Sequence, residues 1–445
     1  MARRAAKYND RGLVKRGADA EKPGLLVLDA AYTLEMIHER GIENSIRCRD
    51  LDGFFRHVWS VHPFATLVTS EHWAPRFGKP VWSELGARHT FIEGKVGRSP
   101  ALKPVFPINF VLAQAGLFFD LLHLVRTERI CIIRVGDPLY LGLFGLILSR
   151  IARIPLVIRV NGNNQKIRET TQSAVYPRLF HWRWLERRVE RFVLRRADLV
   201  AAPNQDNVDY AISFGAKPDC VTIFPYGNLL ADEHLVDPAR RPLDDELFRR
   251  WGIRPNKYIL SVARLAPLKC PEDVLAAFAK VRAAGFDVDL VYAGEGPMRD
   301  QLLAEANALG VADHVRFIGN QNQRSLAQLN AQAAAVLSPL TGRALSESAL
   351  GAAPIVAYDL DWQGDLIRTG DTGELVPFRH PNLMAESTIK LLRDRDYAKR
   401  MGNSARIRAL KMLDPAALNE HERQEYSKLL SRAGREPTTD ITAPA

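Results

Sequence analysis

Short apolar segments alternate with longer segments of helical periodicity along most of the chain. In the first half, strand-like apolar segments occupy residues 24–30, 128–136, 155–162, 197–203 and 220–227. In the second half, strand-like segments at 257–265, 288–296, 314–320, 334–340 and 354–357 alternate with helix-like segments at 271–286, 298–310 and 324–333. Such alternation predicts an α/β fold with parallel sheets, whose ligands bind at the carboxyl ends of the strands.

The length and the spacing of these segments predict two domains. A chain of 445 residues is too long for one ordinary core. A polar, proline-containing segment at residues 229–246 separates the two alternating series. We therefore predict two Rossmann-like domains whose parallel sheets face each other across a crevice. We predict a basic disordered tail at 1–22, an N-terminal domain at 23–236 and a C-terminal domain at 237–410. A C-terminal helix at 411–432, for which a return to the N-terminal domain is one option, and a second disordered tail at 433–445 complete the chain.

Neither a membrane span nor a metal site is predicted. The longest continuous apolar run, residues 139–148, is shorter than the roughly 20 residues that cross a bilayer. The basic amino terminus lacks the apolar core of a secretory signal. The 4 cysteines show no metal-ligand spacing, which is typical of a protein of the reducing cytosol.

The charge balance predicts an anionic partner. The 61 Lys and Arg residues against 51 Asp and Glu residues give a formal net charge of +10. A nucleotide phosphate or an anionic membrane surface would suit this charge. Nucleic acid is not predicted as a partner, because zinc-finger, aromatic RNA-binding and basic-zipper patterns are all missing from the sequence.

Part of the positive charge lies in an amphipathic pattern at residues 181–196. Its apolar residues recur at helical spacing: Trp182, Leu185, Val189, Phe192 and Val193. One interpretation is an ordinary surface helix that packs on its own sheet through this apolar side. The other is a helix whose arginine-rich outer side also contacts anionic lipid.

Five motifs in the second half stand in one order: SVARLAPLK, AGEGPMRDQL, VRFIGN, GRALSESALGAAPIVAYD and GDLIRTGDTGELVP, at 261–269, 293–302, 315–320, 342–359 and 364–377. Together they resemble the donor-binding domain of the GT-B glycosyltransferases, specifically the retaining enzymes of family 4. The first half is similar to the same family more loosely, through IPLVIRVNG, ADLVAAPNQ and VTIFPYGN.

The resemblance implies a group of catalytic residues, which the residue chemistry supports. Arg264 and Lys269 follow a predicted strand by a short loop, so both cations can point into the crevice and neutralise a departing diphosphate. Asn161 stands where the family has the histidine of a His-Gly turn. The alternative is that Arg264 and Lys269 are ordinary surface residues that bind no ligand.

The resemblance also implies a donor-binding group. The carboxylate of Glu347 is suited to accept hydrogen bonds from both ribose hydroxyls. The alternative is that Glu347 binds no ligand and only interacts, as an acid near a helix start, with the helix dipole. Gly294 is equally compatible with a tight turn and with ligand contact. The loop before the helix offers amides to phosphate oxygens, and the predicted donor-binding residues are Thr341, Gly342, Arg343, Ala344, Glu347, Gly294 and Asn320.

Several positions depart from the family pattern. Family 4 enzymes carry two glutamates separated by seven residues, and an ungapped count from Glu347 places Pro339 at the first position. With a shorter loop, Thr341, Gly342 or Arg343 would stand there, so the acid is absent either way. A usual Gly-Gly is replaced by Asp361-Trp362, with Asp365 in place of the following glutamate.

These departures leave three hypotheses open. The first is a retaining glycosyltransferase with an altered donor preference, which uses a UDP- or GDP-linked sugar and a saccharide or lipid-linked acceptor, without a metal or another cofactor. Its implied setting is bacterial surface-polysaccharide or glycolipid synthesis, in the cytoplasm or on the inner face of the plasma membrane. The second is a degenerate protein that binds nucleotide or a partner without transfer, and the third is a nucleotide-sugar epimerase.

Overall fold

The computed structural model describes residues 22–176, 179–180, 182–225, 230–340, 342–360 and 362–434. These residues form two α/β domains, each built on one β-sheet, which confirms the predicted fold class. Apart from residues 22, 433 and 434, the two predicted tails lie outside the described residues.

The first sheet contains eight strands in the order β3-β4-β2-β1-β5-β6-β7-β8. All neighbouring pairs are parallel except β3 and β4, which pair antiparallel at one edge. The strand bounds are β1 Gly24–Leu28, β2 His57–His62, β3 Val81–Gly86, β4 His89–Glu93, β5 Ile130–Val135, β6 Leu156–Arg159, β7 Leu199–Ala202 and β8 Val221–Ile223.

The second sheet contains six strands in the order β11-β10-β9-β12-β13-β14, and all of its pairs are parallel. Parallel strands need crossover connections, and helices supply them on both faces. The strand bounds are β9 Tyr258–Val262, β10 Asp289–Ala293, β11 Val315–Phe317, β12 Ala335–Ser338, β13 Ile355–Tyr358 and β14 Glu374–Val376.

Seventeen α-helices are present in the described residues. Those of the first half are α1 Leu34–Arg40, α2 Asn44–Arg47, α3 Phe106–Thr127, α4 Tyr140–Ala152, α5 Asn164–Thr171, α6 Arg183–Leu194 and α7 Gln205–Ser213. Those of the second half are α8 Asp232–Leu235, α9 Asp245–Trp251, α10 Pro271–Ala283, α11 Arg299–Ala308, α12 Gln323–Ala331, α13 Arg343–Leu350, α14 Gln363–Leu366, α15 Pro381–Arg393, α16 Arg395–Met412 and α17 Pro415–Arg432.

The first sheet is buried on both faces. Helices α3, α4, α6 and α7 pack on one face through residues such as Leu121, Leu148 and Val193. The other face is covered by residues 51–55 and by α17, whose Tyr426 packs with Leu25. The last helix of the chain therefore packs on the first sheet, whereas Leu230 already packs in the core of the second domain.

Four strands were missed by the sequence analysis: β2, β3, β4 and β14. Strand β3 lies at the sheet edge and is mostly exposed, so it has no continuous apolar run. Strands β2 and β4 are buried but contain His57, His62, His89 and Glu93, polar residues that interrupt the apolar pattern. Periodicity alone does not recognise such strands.

The long apolar helix α3 was not predicted from the sequence either. Together with the preceding turn it forms a segment, Pro100–Thr127, that is long and apolar enough to cross a membrane by length and composition. The segment contains no continuous apolar run of this length, because Asn109, Gln114 and Asp120 interrupt it. One side of α3 packs in the core of the first domain through Leu117, Leu121 and Val125, so the helix is an integral part of this α/β domain.

The predicted apolar side of α6 is partly wrong. Trp182 and Phe192 are exposed, whereas Glu186 and Glu190 are fully buried. Both carboxylates bind the buried Arg168, at 2.8 Å from Nε and 2.7 Å from Nη2. Because Arg168 supplies the opposite charge and hydrogen bonds, two glutamates can face the domain interior.

Candidate functional site

The candidate site lies at the carboxyl ends of strands from both sheets. In the second domain, loops follow β9, β10 and β12, and in the first domain loops follow β5 and β6. Helix α5, which begins just after Asn161, contacts the 3-10 helix Pro267–Lys269 of the second domain. The two sets of loops therefore meet across a crevice, which is where parallel α/β sheets bind ligands.

Arg264 and Lys269 lie on the loop that follows β9. Arg264 is the second residue after the strand, and its side chain is exposed. Lys269 ends the short 3-10 helix, directly before Cys270 adopts a left-handed conformation with φ of 50°. The loop thus places two cations at the carboxyl edge of the sheet, ahead of helix α10.

Gly294 and Gly296 shape this loop by close backbone approach. A Cβ atom on Gly294, whose φ is 152°, would lie 2.0 Å from the Ala263 carbonyl oxygen, and one on Gly296 would lie 2.2 Å from that of Leu265. The amide of Leu265 donates to the carbonyl of Glu295 over 3.0 Å. The turn after β10 therefore fixes the backbone on both sides of Arg264, and this packing explains both glycines.

Asn320 lies beside this turn. It follows β11 and is exposed, directly after Gly319, which forms an isolated bridge with Gly294. Its position is compatible with the predicted contact to the donor, although the described contacts give it no partner of its own in the site.

Helix α13 begins at Arg343, directly after the exposed Gly342. Gly342 has no side chain that caps the helix, so the first-turn amides of Arg343 and Ala344 remain oriented toward the loop. Thr341, another predicted donor-binding residue, lies outside the described residues. A helix start of this kind suits phosphate oxygens because the amides and the helix dipole both favour negative charge.

Glu347 lies one helical turn further along, and its side chain is buried at 3% exposure. Arg343 Nε lies 3.0 Å from Glu347 Oε1. Nevertheless Oε1 accepts no hydrogen bond of acceptable geometry from the described residues. A buried carboxylate oxygen without a hydrogen-bond donor has unused capacity for a ligand hydroxyl.

Gln363 is a residue of this region that the sequence analysis missed. It is completely buried, and its Nε2 donates to the carbonyl oxygens of Pro339 and Tyr358, each over 2.7 Å. It thereby links the loops that follow β12 and β13. Pro339, which the ungapped count predicts at the family's first glutamate, is therefore tied to the end of β13, and Asp365 is exposed on the neighbouring helix α14.

On the first-domain side, Asn161 Nδ2 donates to the carbonyl of Gly136 over 3.0 Å. Asp137, which follows Gly136 in the chain, accepts hydrogen bonds from the Leu139 amide over 2.7 Å and from the Tyr176 hydroxyl over 3.1 Å. Burial raises the pKa of Asp137 to about 6. The sequence analysis missed Asp137, although its position after a buried strand was a usable signal.

A small cavity of about 60 Å³ lies next to Asn161. Three buried arginines and two acids surround it: Arg49, Arg134, Arg159, Asp29 and Glu422. Arg49 Nη2 lies 2.6 Å from Asp29 Oδ2, and Arg159 Nη1 lies 3.1 Å from Glu422 Oε1. Because Glu422 belongs to α17, its ion pair with Arg159, the last residue of β6, fastens this helix to the carboxyl edge of the first sheet.

A larger pocket, of about 360 Å³, lies between the domains. It is lined by Pro203, Asn204 and Ile223 of the first domain and by Ser346, Trp362 and Arg368 of the second. Of these lining residues, Ser346 lies on helix α13, directly before Glu347. In the described residues, no group of three or more His, Cys, Asp or Glu side chains is arranged to hold a metal ion.

Two family models match the chain. The model described as "Glycosyl transferase 4-like domain" matches residues 53–227, and that described as "Glycosyl transferases group 1" matches residues 244–408. The chain is 27% identical over 267 residues to alpha-D-kanosaminyltransferase of Streptomyces kanamyceticus, a match that covers 58% of this chain and 67% of the relative. It is also 27% identical over 239 residues to a GDP-mannose-dependent phosphatidylinositol monomannoside mannosyltransferase of Mycobacterium tuberculosis, which covers 50% of this chain and 61% of that protein.

Solved structures share the whole fold. HepE of Anabaena, in complex with UDP and glucose, superposes with a TM-score of 0.67 at 18% identity and covers 91% of this chain and 100% of its own. Sucrose-phosphate synthase from Thermosynechococcus elongatus gives a TM-score of 0.69 at 16% identity, with 92% and 100% covered. The two family matches take in both domains and the structural similarity spans the crevice between them, so the chain belongs to the family 4-like glycosyltransferases of the GT-B fold.

Proposed function

We propose that the protein transfers a sugar from a UDP- or GDP-linked donor to a saccharide or lipid-linked acceptor, with retention of the anomeric configuration. The observation that carries this proposal is the arrangement around α13. The uncapped helix start, the buried carboxylate of Glu347 and the cation loop with Arg264 and Lys269 all lie at the carboxyl edge of the second sheet. Membership of the family and a structural neighbour bound to UDP support a nucleotide-sugar donor.

In this proposal the donor is held at its nucleotide end. Glu347 accepts hydrogen bonds from the ribose hydroxyls, and the amides of residues 342–344, with Thr341, contact the diphosphate. Arg264 and Lys269 neutralise the charge that grows on the diphosphate as the bond to the sugar breaks. The proposal therefore assigns the electrostatic work to side chains and amides of this chain, with no metal or further cofactor.

The acceptor side belongs to the first domain. Asp137 and Asn161 lie on the loops that follow β5 and β6 at the carboxyl edge of the first sheet, and α5, which begins after Asn161, contacts the 3-10 helix Pro267–Lys269 of the second domain. We assign to these loops the positioning of the acceptor hydroxyl near the anomeric carbon. Correct positioning alone accounts for a large share of the rate in reactions of this kind.

The setting that we propose is bacterial surface-polysaccharide or glycolipid synthesis, in the cytoplasm or on the inner face of the plasma membrane. The support is the kind of relative that the chain matches, which includes a mannosyltransferase whose name specifies a phosphatidylinositol mannoside. The chain matches only part of such relatives, so their acceptors remain proposals for this protein.

Pro339 favours a second candidate function. By the ungapped count it stands at the place of the sugar-facing glutamate, and it is buried, with its carbonyl oxygen bound by Gln363. A site that keeps the ribose carboxylate and lacks the sugar-facing acid could bind nucleotide without catalysis. Incubation with UDP- and GDP-sugars, with membrane extract as the acceptor source, separates the candidates: transfer supports the enzyme, and tight nucleotide binding without any turnover supports the binding protein. Turnover of a nucleotide-sugar without an acceptor would instead indicate an epimerase.

A further inference from the structure

Three adjacent helices of the first domain present a continuous outer face. Helix α4 packs against α3 on one side and against α6 on the other, and all three cover the same face of the first sheet. We call the outward sides of these helices the α3–α4–α6 face. It contains eight exposed large apolar residues: Ile108, Val111, Leu112, Phe119, Ile147, Ile151, Trp184 and Phe192.

The apolar residues of α3 form one stripe along the helix. Ile108, Val111, Leu112 and Phe119 follow the spacing of successive helical turns, and Val111 and Phe119 are 63% and 67% exposed. The opposite side of α3 is apolar too, because it packs in the core of the domain. A helix that only covered its own sheet would be polar on the outside, so this outer stripe needs an apolar partner.

The charge of the face is strongly unbalanced. Six exposed arginines lie on the three helices: Arg126, Arg150, Arg183, Arg187, Arg188 and Arg191. The exposed acid of these helices is Asp120, because the two glutamates of α6 are buried against Arg168, and Arg150 is also paired with Asp198, whose Oδ1 lies 3.5 Å from its Nη1. The burial of Glu186 and Glu190 thus removes the acids from the outer side of α6 and leaves the arginines there.

We propose that the α3–α4–α6 face binds the surface of an anionic lipid bilayer. Such a surface offers an apolar layer for the aliphatic and aromatic side chains and, directly above it, phosphate groups for the arginines. Trp184, which is 54% exposed, has the side chain most often found at this boundary. The core packing of α3 requires that the helix lies in the plane of the surface and does not cross it.

Other occupants fit the charge less well. A second copy of the chain, related by a twofold axis, would bring the same arginines face to face. Residues 1–21 carry six basic side chains, Arg3, Arg4, Lys7, Arg11, Lys15 and Arg16, against the three acids Asp10, Asp19 and Glu21, so this segment has the same sign as the face. An anionic surface is the partner that the charge favours.

The test is co-sedimentation of the full chain with vesicles of phosphatidylcholine alone and of phosphatidylcholine with 30% phosphatidylglycerol. We expect binding to the anionic vesicles only, and weaker binding as salt rises, because salt screens exposed charges over about 10 Å at 0.1 M. The double variant Arg126→Gln/Arg188→Gln should bind about 25-fold more weakly, about fivefold for each arginine near the lipid surface. The double variant Val111→Ser/Phe119→Ser should lose about tenfold.

Matched controls lie on the second domain. Leu303→Ser/Ile407→Ser removes two exposed apolar residues, and Arg249→Gln/Lys399→Gln removes two exposed cations, away from the face. Both controls should bind vesicles like the unmodified protein. Equal binding to neutral and anionic vesicles, or face variants that behave like their controls, would overturn the proposal. Self-association that the face variants abolish, without vesicle binding, would also overturn it and identify a contact between copies. Vesicle binding needs no sugar transfer, so this test is independent of the proposed activity.

Discussion

Arg343 Nε lies 3.0 Å from Glu347 Oε1, within the first two turns of helix α13. The guanidinium neutralises the buried carboxylate, yet Oε1 accepts no well-aligned hydrogen bond from the described residues. A buried carboxylate oxygen with this remaining hydrogen-bonding capacity suits a ligand that brings hydroxyl donors, such as a ribose. The pair also explains how a buried acid is tolerated before a donor binds.

Glu347→Gln tests this role. The amide keeps the shape and one acceptor oxygen but loses the charge, so the affinity for UDP or GDP should fall by about tenfold, within the range of a charge-assisted hydrogen bond. Isothermal titration calorimetry measures the loss, and the unfolding temperature checks that the fold is intact. Glu386→Gln, an exposed position on α15, is the control and should bind like the unmodified protein. Equal affinities for the two variants would remove Glu347 from the site.

Arg264→Ala and Lys269→Ala test the cation loop. Each change should weaken binding of a nucleoside diphosphate by ~1.5 to 3 kcal/mol, because each removes a charge-assisted hydrogen bond to the diphosphate. The corresponding nucleoside, which has no phosphate, should bind all variants equally. Arg249→Ala on α9 is the control for a lost surface cation. If the diphosphate affinity stays unchanged, the two residues are ordinary surface cations.

Pro339→Glu introduces an acid at the position that the ungapped count assigns to the family's first glutamate. If the loop tied by Gln363 faces the donor sugar, the variant should change the ratio of rates for two sugars on the same nucleotide while the affinity for the free nucleotide stays within about threefold. Competition assays with paired UDP-sugars or GDP-sugars measure this ratio. An unchanged sugar preference in an active variant would show that the position has no contact with the sugar.

Acid should destabilise the first domain. Burial lowers the pKa of His57, His62 and His89, on strands β2 and β4, to about 4 from 6.5. Between these two pH values each of the three imidazoles binds more protons in the unfolded chain, and together they outweigh the opposite effect of Asp137, whose pKa is raised to about 6 by burial, so the free energy of unfolding falls as the pH decreases from 6.5 to 4. Urea unfolding at a series of pH values should show this slope. His62→Gln should make the slope less steep by about 1 kcal/mol per pH unit, because one titrating group is lost; an unchanged slope would contradict this assignment.

The sequence predicted the fold class and most strands because buried parallel strands form short, continuous apolar runs. It missed β2 and β4, where polar residues such as His62 and Glu93 are buried. It also misjudged α6, since nothing in the local pattern shows that Glu186 and Glu190 meet Arg168, 18 and 22 residues away. Interactions of this kind depend on packing between elements, which periodicity does not report.

The same distinction, between continuous sequence patterns and contacts across elements, applies to the candidate site. Arg264, Glu347 and Gly294 were predicted because each stands in a motif that is continuous in sequence. Gln363 and Asp137 were missed because their roles depend on contacts across loops: Gln363 ties two strand ends together, and Asp137 accepts a hydrogen bond from Tyr176, 39 residues away. The pairing of Arg343 with Glu347 was within reach, since residues four apart on a helix are neighbours.

The most direct test of the proposed function is NMR-monitored turnover. The full chain is incubated with UDP- and GDP-linked sugars and with membrane extract as the acceptor source, and the anomeric signals of donor and product are compared. We predict that one donor is consumed, that its nucleoside diphosphate is released, and that the product has the anomeric configuration of the donor. An inverted product would contradict retention, and nucleotide binding without consumption of any donor would contradict the proposal that the protein is a glycosyltransferase in activity as well as in fold.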